Sequence, residues 1–419
     1  MFDIFNRHCS FHVKGDIAAM NKKINIFIFS VVLMDVIGLS ILMPISPYIV
    51  RAYSTSALAV AMLSVIYAAA QFLAAPVLGL LSDRYGRRPV LLICIFGSAI
   101  GYFMFGIGGA LWVLFLSRLI DGITGGNFSV ANAYIADVTE EKDRAKYFAL
   151  MGSAFGVGFI LGPAAGGLLS QISLSAPAHA AGVLSLVNFI AGYFILPESL
   201  PVEKRIHAVM HIKDFNPLAP IVKYIRQPNL WGLLMIYVLF QFVFTGNNSI
   251  FQVFAVNRYS IPPASLAVLL TVSGVGNAVA QGFLVGPMVS ITGEKKLVGI
   301  SLIAQAGMLI LTFLMPAFWM QYPVILISTV FNGFLWPTLT AMISKTVPQN
   351  EQGSISGTTM ALGSAMSIIG PLAAGTLYDT LGYAAPFVSG AIIFTIAFLL
   401  LNITKDSSVL NKRTILTQI

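Results

Sequence analysis

Hydrocarbon offers an unpaired peptide group no partner, so a segment that crosses a bilayer as a helix needs about 20 predominantly apolar residues. Twelve stretches of this sequence meet that requirement, at about residues 24–50, 57–80, 89–109, 111–137, 146–170, 178–196, 229–255, 262–290, 297–316, 319–345, 354–378 and 383–402. Charged residues are 10% of the chain and hydrophobic ones 57%, whereas soluble domains carry about 25% charged residues. A soluble enzyme is therefore excluded, and the expectation is an all-α membrane protein with 12 transmembrane helices. The first 23 residues are polar and end in Lys22 and Lys23. The apolar run after them is too long, and lacks the small-residue cleavage site, for a removable signal peptide.

A net charge of +8 would suggest nucleic acid in a soluble protein. In a membrane protein it reports orientation, because Lys and Arg collect on cytoplasmic loops. Sorted onto the twelve spans, 21 of the 24 basic residues fall on the side that holds both termini, and two, Arg51 and Arg258, on the other. The last, Arg118, lies inside a span. Both termini are expected in the cytoplasm, with the lipid bilayer rather than nucleic acid as partner. Trp112, Trp231 and Trp319 stand at span ends, where an aromatic belt forms.

The stretch 197–228, with Pro197, Pro201, Pro217, Pro220 and five basic residues, is the one long polar connection. It divides the chain into a tail (1–23), six spans (24–196), a central cytoplasmic loop (197–228), six more spans (229–402) and a second tail (403–419). Gly79 to Gly86 followed by Arg87-Arg88 recurs as Gly286 to Gly293 followed by Glu294-Lys295-Lys296, an offset of 207. Gly162-Pro163 recurs as Gly370-Pro371, an offset of 208. Two unrelated motifs at nearly one offset imply duplicated, pseudo-symmetric six-helix bundles, with a small-molecule site at the midplane between them.

Charges within spans are expensive, about 2.5 to 3.5 kcal/mol each on insertion scales, so each needs a reason. Arg118 and Asp121 in span 4 are three apart and share a helix face, as an ion pair or as a static neutralisation. Asp35 in span 1 lies about 16 Å from the start of its span, and Asp121 about 15 Å from the start of its own. Both fall near the midplane, where an acid can exchange protons as water access alternates, or serve as a static partner for Arg118. Span 5 carries Gly158, Gly162-Pro163 and Gly166-Gly167, several at the four-residue spacing of close helix packing. Gln71, Asn127, Asn132 and Asn188 in the first half, with Gln241, Asn247, Asn248, Asn277 and Asn332 in the second, line a cavity or bond between helices. Cys9 and Cys94 give no disulfide framework, the five histidines have no metal-ligand spacing, and no nucleophile stands beside a base. Neither a metal, a cofactor nor an enzymatic activity is expected.

The run Gly79-Leu-Leu-Ser-Asp83-Arg84-Tyr-Gly86-Arg87-Arg88-Pro89 resembles the loop signature of the major facilitator superfamily. The resemblance implies two bundles rocking about a central cavity, with Gly79, Asp83, Arg84, Gly86, Arg87 and Arg88 as a conformational latch against the second half. Arg118 resembles the proton-relay arginine of the drug:proton antiporter branch. Asp35, followed by Pro44 and Pro47, is similar to the first-span acid of tetracycline resistance exporters and their drug-efflux relatives. The pattern Gly158-x-x-x-Gly162-Pro163-x-x-Gly166-Gly167 resembles the antiporter signature, which implies export. Leu196-Pro197-Glu198-Ser199, Asn216-Pro217-Leu218, Trp336-Pro337, Glu351-Gln352-Gly353 and Gly370-Pro371 extend the likeness over most of the chain. Spans 3 and 9 hold no acidic residue and span 8 no histidine, unlike tetracycline exporters. The resemblance thus implies a monomeric bacterial inner-membrane transporter exchanging protons, through Asp35, Arg118 and Asp121, for a small amphipathic compound such as a drug, siderophore or metabolite. A proton symporter importing a nutrient and a non-transporting membrane sensor are the alternatives.

Overall fold

The computed structural model describes residues 28–139, 141–205, 223–227 and 230–404. The amino-terminal tail, most of the central loop and the carboxy-terminal tail from residue 405 lie outside the described residues. Among those described, ten helices are long and apolar enough to cross a bilayer. Two further crossings are interrupted, giving the twelve the sequence implies. The first consists of α1 (Ile28–Ile41) and α2 (Ser46–Arg51), with turns at 42–45. Then come α3 (Ala57–Tyr85) and α4 (Arg87–Ile107). The fourth crossing is α5 (Leu111–Thr124) and α6 (Asn127–Val138), broken at Gly125-Gly126, and α7 (Glu141–Leu169) and α8 (Ala176–Ile195) complete the first half. The second half runs α9 (Trp231–Tyr259), α10 (Pro263–Thr292), α11 (Glu294–Leu314), α12 (Gln321–Ser344), α13 (Gln352–Leu381) and α14 (Ala385–Ile403). A π-helical turn at Ala280–Leu284 interrupts α10, a device common at functional sites.

Local chemistry explains the punctuation. Prolines occupy the first turn of α2, α8, α10 and α14, where a missing N–H costs nothing. Glycines with positive φ stop α3, α4 and α13 at Gly86, Gly108 and Gly382.

The duplication is visible in side-chain chemistry. Ser40 Oγ in the first crossing donates to Gly158 O of α7 at 3.0 Å, and Thr245 Oγ1 in α9 donates to Met366 O of α13 at 2.8 Å. The two acceptors are separated by the repeat offset. Beside them the same glycine contact appears twice. The missing side chain of Gly162 lets α7 approach Ile37 O and Ser40, and that of Gly370 lets α13 approach Phe242 O and Gly246 N. A Cβ at Gly158 would stand 2.6 Å from Val36 Cγ1, and one at Gly166 would meet Pro44 Cγ at 3.0 Å. The glycine stripe therefore welds α7 to the helix that carries Asp35, through dispersion contacts that replace the absent hydrophobic drive between helices in lipid.

Between the halves, the closed and open ends differ. We call the end bearing the loop at 84–88 the basic face. At the opposite face the Tyr48 hydroxyl donates to Ile261 O, Gly375 of α13 lies against Leu58 and Ala61 of α3, and Gly167 of α7 lies against Ala264 and Ala267 of α10. Nearer the basic face, Gly79, Gly152, Gly156, Gly282, Gly286, Gly353 and Gly357 on these same four helices have open space where a side chain would be. The molecule is thus open toward the basic face.

Residues 223–226 of the central connection dock on the start of α13. Lys223 Nζ meets Glu351 Oε1 at 2.7 Å, and the Tyr224 hydroxyl donates to Oε2 at 3.1 Å. The hydrogen bond from Lys223 holds the Glu351 carboxyl below its ordinary 4.5, and the same bond raises the Lys223 ammonium above 10.5. A lowered carboxyl pKa gives a contact present above the ordinary carboxylate range and lost as pH falls through the lowered value. A spin label at Arg226→Cys will therefore stay ordered at neutral pH and gain mobility only as pH falls below the ordinary carboxylate range; mobility independent of pH would refute this docking.

Overpacking a close helix contact costs about 1–3 kcal/mol. Gly162→Leu is expected to lower the thermal unfolding midpoint of the purified protein by several degrees, while Gly156→Leu, which faces open space, leaves it within about one degree.

Candidate functional site: a broken helix and two acids at the midplane

The break at Gly125-Gly126 frees backbone groups in the middle of the first bundle, and the surrounding side chains satisfy them. Gln71 Nε2 of α3 donates to Gly125 O at 2.8 Å and to the Tyr67 hydroxyl at 3.2 Å. Asn127 opens α6, so its amide points out of the break and donates to Asp35 Oδ2 at 2.5 Å. Asp35 is half-buried, and its carboxylate lies at the N-terminus of α6, where the helix dipole favours negative charge.

One turn before the break, Arg118 Nη1 meets Asp121 Oδ2 at 3.0 Å, with the two side chains only 5% and 2% exposed. Ser98 and Tyr102 of α4 stand beside Asp121, and Ser98 Oγ shares a hydrogen bond with Thr124 Oγ1 at 3.0 Å. The guanidinium stands over the rings of Phe105 and Tyr102, at 4.9 and 5.5 Å from their centroids. Its Nε and Nη2 find no acceptor among the described residues. The structure joins Arg118 to Asp121, the same-helix pair the sequence suggests, and bonds Asp35, which the sequence also offers as a partner for Arg118, to Asn127 instead. The reason is geometric: Asp121 is one turn away on the same helix, whereas Asp35 faces the break on another. Tyr67 and Tyr102 were not singled out from the sequence, because a tyrosine in an apolar span gives no signal of a polar role.

The candidate cavity residues divide. Asn188 is 2% exposed, and its amide nitrogen finds no partner among the described residues; Asn127 is 3% exposed and committed to Asp35. Gln71 is committed to the break, and Asn132 and Asn332 are half-buried. Asn248 is exposed, and its backbone carbonyl lies 3.5 Å from Gln252 Nε2. Asn247 is half-buried, and its Oδ1 finds no partner among the described residues. Asn277 accepts from the exposed Gln281 at 2.6 Å, at the π-helical turn. Gln241 and Trp336 stand beside the Tyr237 hydroxyl. The second half therefore offers uncharged amides and aromatic rings, and the first half offers the charges.

The basic loop is a second polar cluster. Gly86, at φ 107, turns the chain so tightly that a Cβ would lie 2.8 Å from Glu198 Cδ. Arg87 is 8% exposed. Its guanidinium reaches Asp83 at 2.5 Å, Asp137 at 3.2 Å and Ser82 Oγ at 2.5 Å, and its backbone N–H donates to Glu198 Oε1 at 2.8 Å. Arg88 donates to Tyr193 O at 2.6 Å, whereas Arg84 is exposed and Gly79 faces open space. These bonds tie the basic ends of α3, α4, α6 and α8 to one another. Among the described residues, the loop's partners lie in the first half and at Glu198 just beyond it. Asp137 and Glu198 complete this cluster; the sequence signal for them was an acid at each of two span ends facing a loop with three arginines.

With the fold and these clusters in place, comparison with known proteins gives the lineage. The sequence matches the Major Facilitator Superfamily over residues 28–263 and 234–414, and the chain belongs to that family. It is 38% identical to the class C tetracycline resistance protein of Escherichia coli, over 84% of this chain and 89% of that protein. It is 27% identical to multidrug resistance protein 2 of Bacillus subtilis, over 92% of this chain and 96% of that one. Among solved structures, a bacterial homologue of the human lysosomal transporter Spinster, inward-facing and unoccupied, superposes with a TM-score of 0.68 at 15% identity, covering 95% of this chain and 98% of that one. The protein is a multi-pass membrane transporter and not an enzyme.

Removing a buried partner that satisfies two carboxylates costs about 3–5 kcal/mol. Arg87→Ala is expected to destabilise the first bundle by about that much, read as a fall of at least several degrees in the unfolding midpoint, whereas Arg84→Ala leaves the midpoint unchanged.

Proposed function

We propose that this transporter is a proton-coupled antiporter that exports a small amphipathic compound across a bacterial inner membrane, as a monomer with its basic face and both termini in the cytoplasm. The observation that carries the reading is Asp35: a half-buried carboxylate at a broken helix, bonded to an amide rather than to a cation. Such a group gains and loses a proton without stranding a buried guanidinium, because Arg118 has its own counter-ion in Asp121. The relatives named for tetracycline and multidrug resistance support the direction of transport. The uncharged amides and the aromatic Trp336 and Tyr237 of the second half suit a ligand with an apolar body and a few polar groups.

In this mechanism the open basic face admits substrate from the cytoplasm while Asp35 is ionised, and the bundles then rock to expose the site to the other side. Substrate leaves, a proton from outside neutralises Asp35, and the return step carries that proton inward. Each charge moved inward draws about 2.3 kcal/mol from 100 mV of membrane potential, and a pH gradient adds to it.

The test uses inside-out vesicles with an acid interior and a panel of drugs, dyes, siderophores and metabolites. Particular compounds are expected to release luminal protons in the wild type. Asp35→Asn is expected to abolish that release while unlabelled-for-labelled substrate exchange continues. Gradient-driven transport that persists in Asp35→Asn removes Asp35 from coupling, and gradient-driven accumulation in intact cells reverses the direction to import.

A further inference from the structure

The two halves meet through α3 and α13 on one side and through α7 and α10 on the other, with Tyr48 of α2 donating to Ile261 O just before α10, and at the face opposite the basic loops these two helix junctions close by different chemistry. Between α7 and α10 the contact is small and apolar, Gly167 against Ala264 and Ala267. Between α3 and α13 it is electrostatic. Asp379, in the last turn of α13, reaches across to the first turn of α3 and accepts from the Ser56 hydroxyl at 2.5 Å, the Ala57 N–H at 2.9 Å and the Leu58 N–H at 3.0 Å. The Ser56 hydroxyl in turn accepts from the Ala59 N–H at 3.2 Å. Of the N–H groups that a helix start leaves without intrahelical partners, two are taken by a residue of the other half and two by Ser54 and Ser56 of the same half, with the negative charge of Asp379 at the positive end of the dipole.

The repeat makes the asymmetry sharper. An offset of 207 carries Ser56 to Pro263, which has no N–H, and an offset of 208 carries Asp379 back to Gln171, which has no charge. The duplicated junction therefore has no equivalent of this cap. A small cleft lined by Arg51, Ser56, Val60, Val256 and Asn257 borders it, so water is at hand when the cap parts. Because Asp379 is exposed, its parting transfers the carboxylate and the N–H groups to water and leaves nothing stranded.

We propose that Asp379 is a conformational lock: capping α3 from the other half, it holds the far mouth closed, and its release at the α3–α13 junction is the step that opens the transporter to that face, with the apolar α7–α10 junction as the pivot. The effect is reversible and modest. Losing a helix cap of this type shifts an equilibrium about fivefold.

Double electron–electron resonance on the full chain tests this, with Cys9 and Cys94 replaced. Labels at Ile107→Cys and Leu314→Cys report the far face, and labels at Ile195→Cys and Ile403→Cys report the basic face. Asp379→Ala is expected to raise the population with long 107–314 distances about fivefold and to shorten the 195–403 distances in step. Asp379→Asn, which keeps an acceptor oxygen but loses the charge, and Ser56→Ala, which removes one donor of three, produce smaller shifts in the same direction. Distance distributions unchanged in Asp379→Ala overturn the lock. Broadening at both faces, the mark of loosened packing, overturns it as well. The readout needs no substrate, gradient or transport direction, so its failure is distinct from failure of the antiport reading.

Discussion

A backbone group freed within a bilayer costs several kcal/mol unless it finds a partner in protein, and the centre of this molecule follows from that constraint. The break at Gly125-Gly126 frees a carbonyl at the midplane, and Gln71 takes it. The same break turns Asn127 into the first residue of a new helix, and its amide takes Asp35. Arg118, whose charge is the most expensive in the first bundle, is held by Asp121 and sandwiched against Phe105 and Tyr102. A helix interruption and three charges thus lie together in the first bundle, one acid paired with a guanidinium and the other bonded to an amide.

Glycine supplies the mechanical counterpart. Along α7, Gly158, Gly162 and Gly166 bring the backbone of span 5 onto span 1, so that Asp35 sits on a helix fixed within its bundle. Gly370 does the same between α13 and α9 in the other half. Within each half, two helices are thus packed backbone against backbone. The Arg87 cluster extends this logic to the basic face: four helix ends are tied by one guanidinium and two neighbouring acids, Asp83 and Asp137, with Glu198 holding its backbone. Glycines further along the same helices face open space, where the other half is free to approach.

Duplication makes the two halves alike in packing but unlike in chemistry. The serine and threonine that bond α7 and α13 to their partners occupy equivalent places. The charges of the midplane lie in the first half, whereas the second contributes amides, Trp336 and a π-helical turn at Gln281. The closed mouth is asymmetric as well, with a carboxylate cap on one side and small apolar residues on the other. The shared packing supplies the scaffold, and the divergence of the halves places the charged side chains in one and neutral amides in the other.

The helical class, the number of crossings and the duplication were legible in the sequence, because each rests on a property of contiguous residues: apolar length, the side on which Lys and Arg fall, and motifs at a fixed offset. Arg118 and Asp121 could be paired for the same reason, being one turn apart on one helix. Local chemistry also marked Gly86 as a turn and the span 5 glycines as a packing stripe, although not which helix they pack against. Only the tertiary structure decided that Asp35 bonds to Asn127 rather than to Arg118, that Asn188 is enclosed, and that Asp137, Glu198 and Tyr102 complete the polar clusters. Those partnerships join residues tens to hundreds of positions apart, and the distance between two helices is set by packing across the whole bundle. Asp379 is the clearest instance. Its sequence neighbourhood describes an ordinary acid at the end of a helix, and its role against Ser56, more than three hundred residues away, exists only because two duplicated halves close on one another.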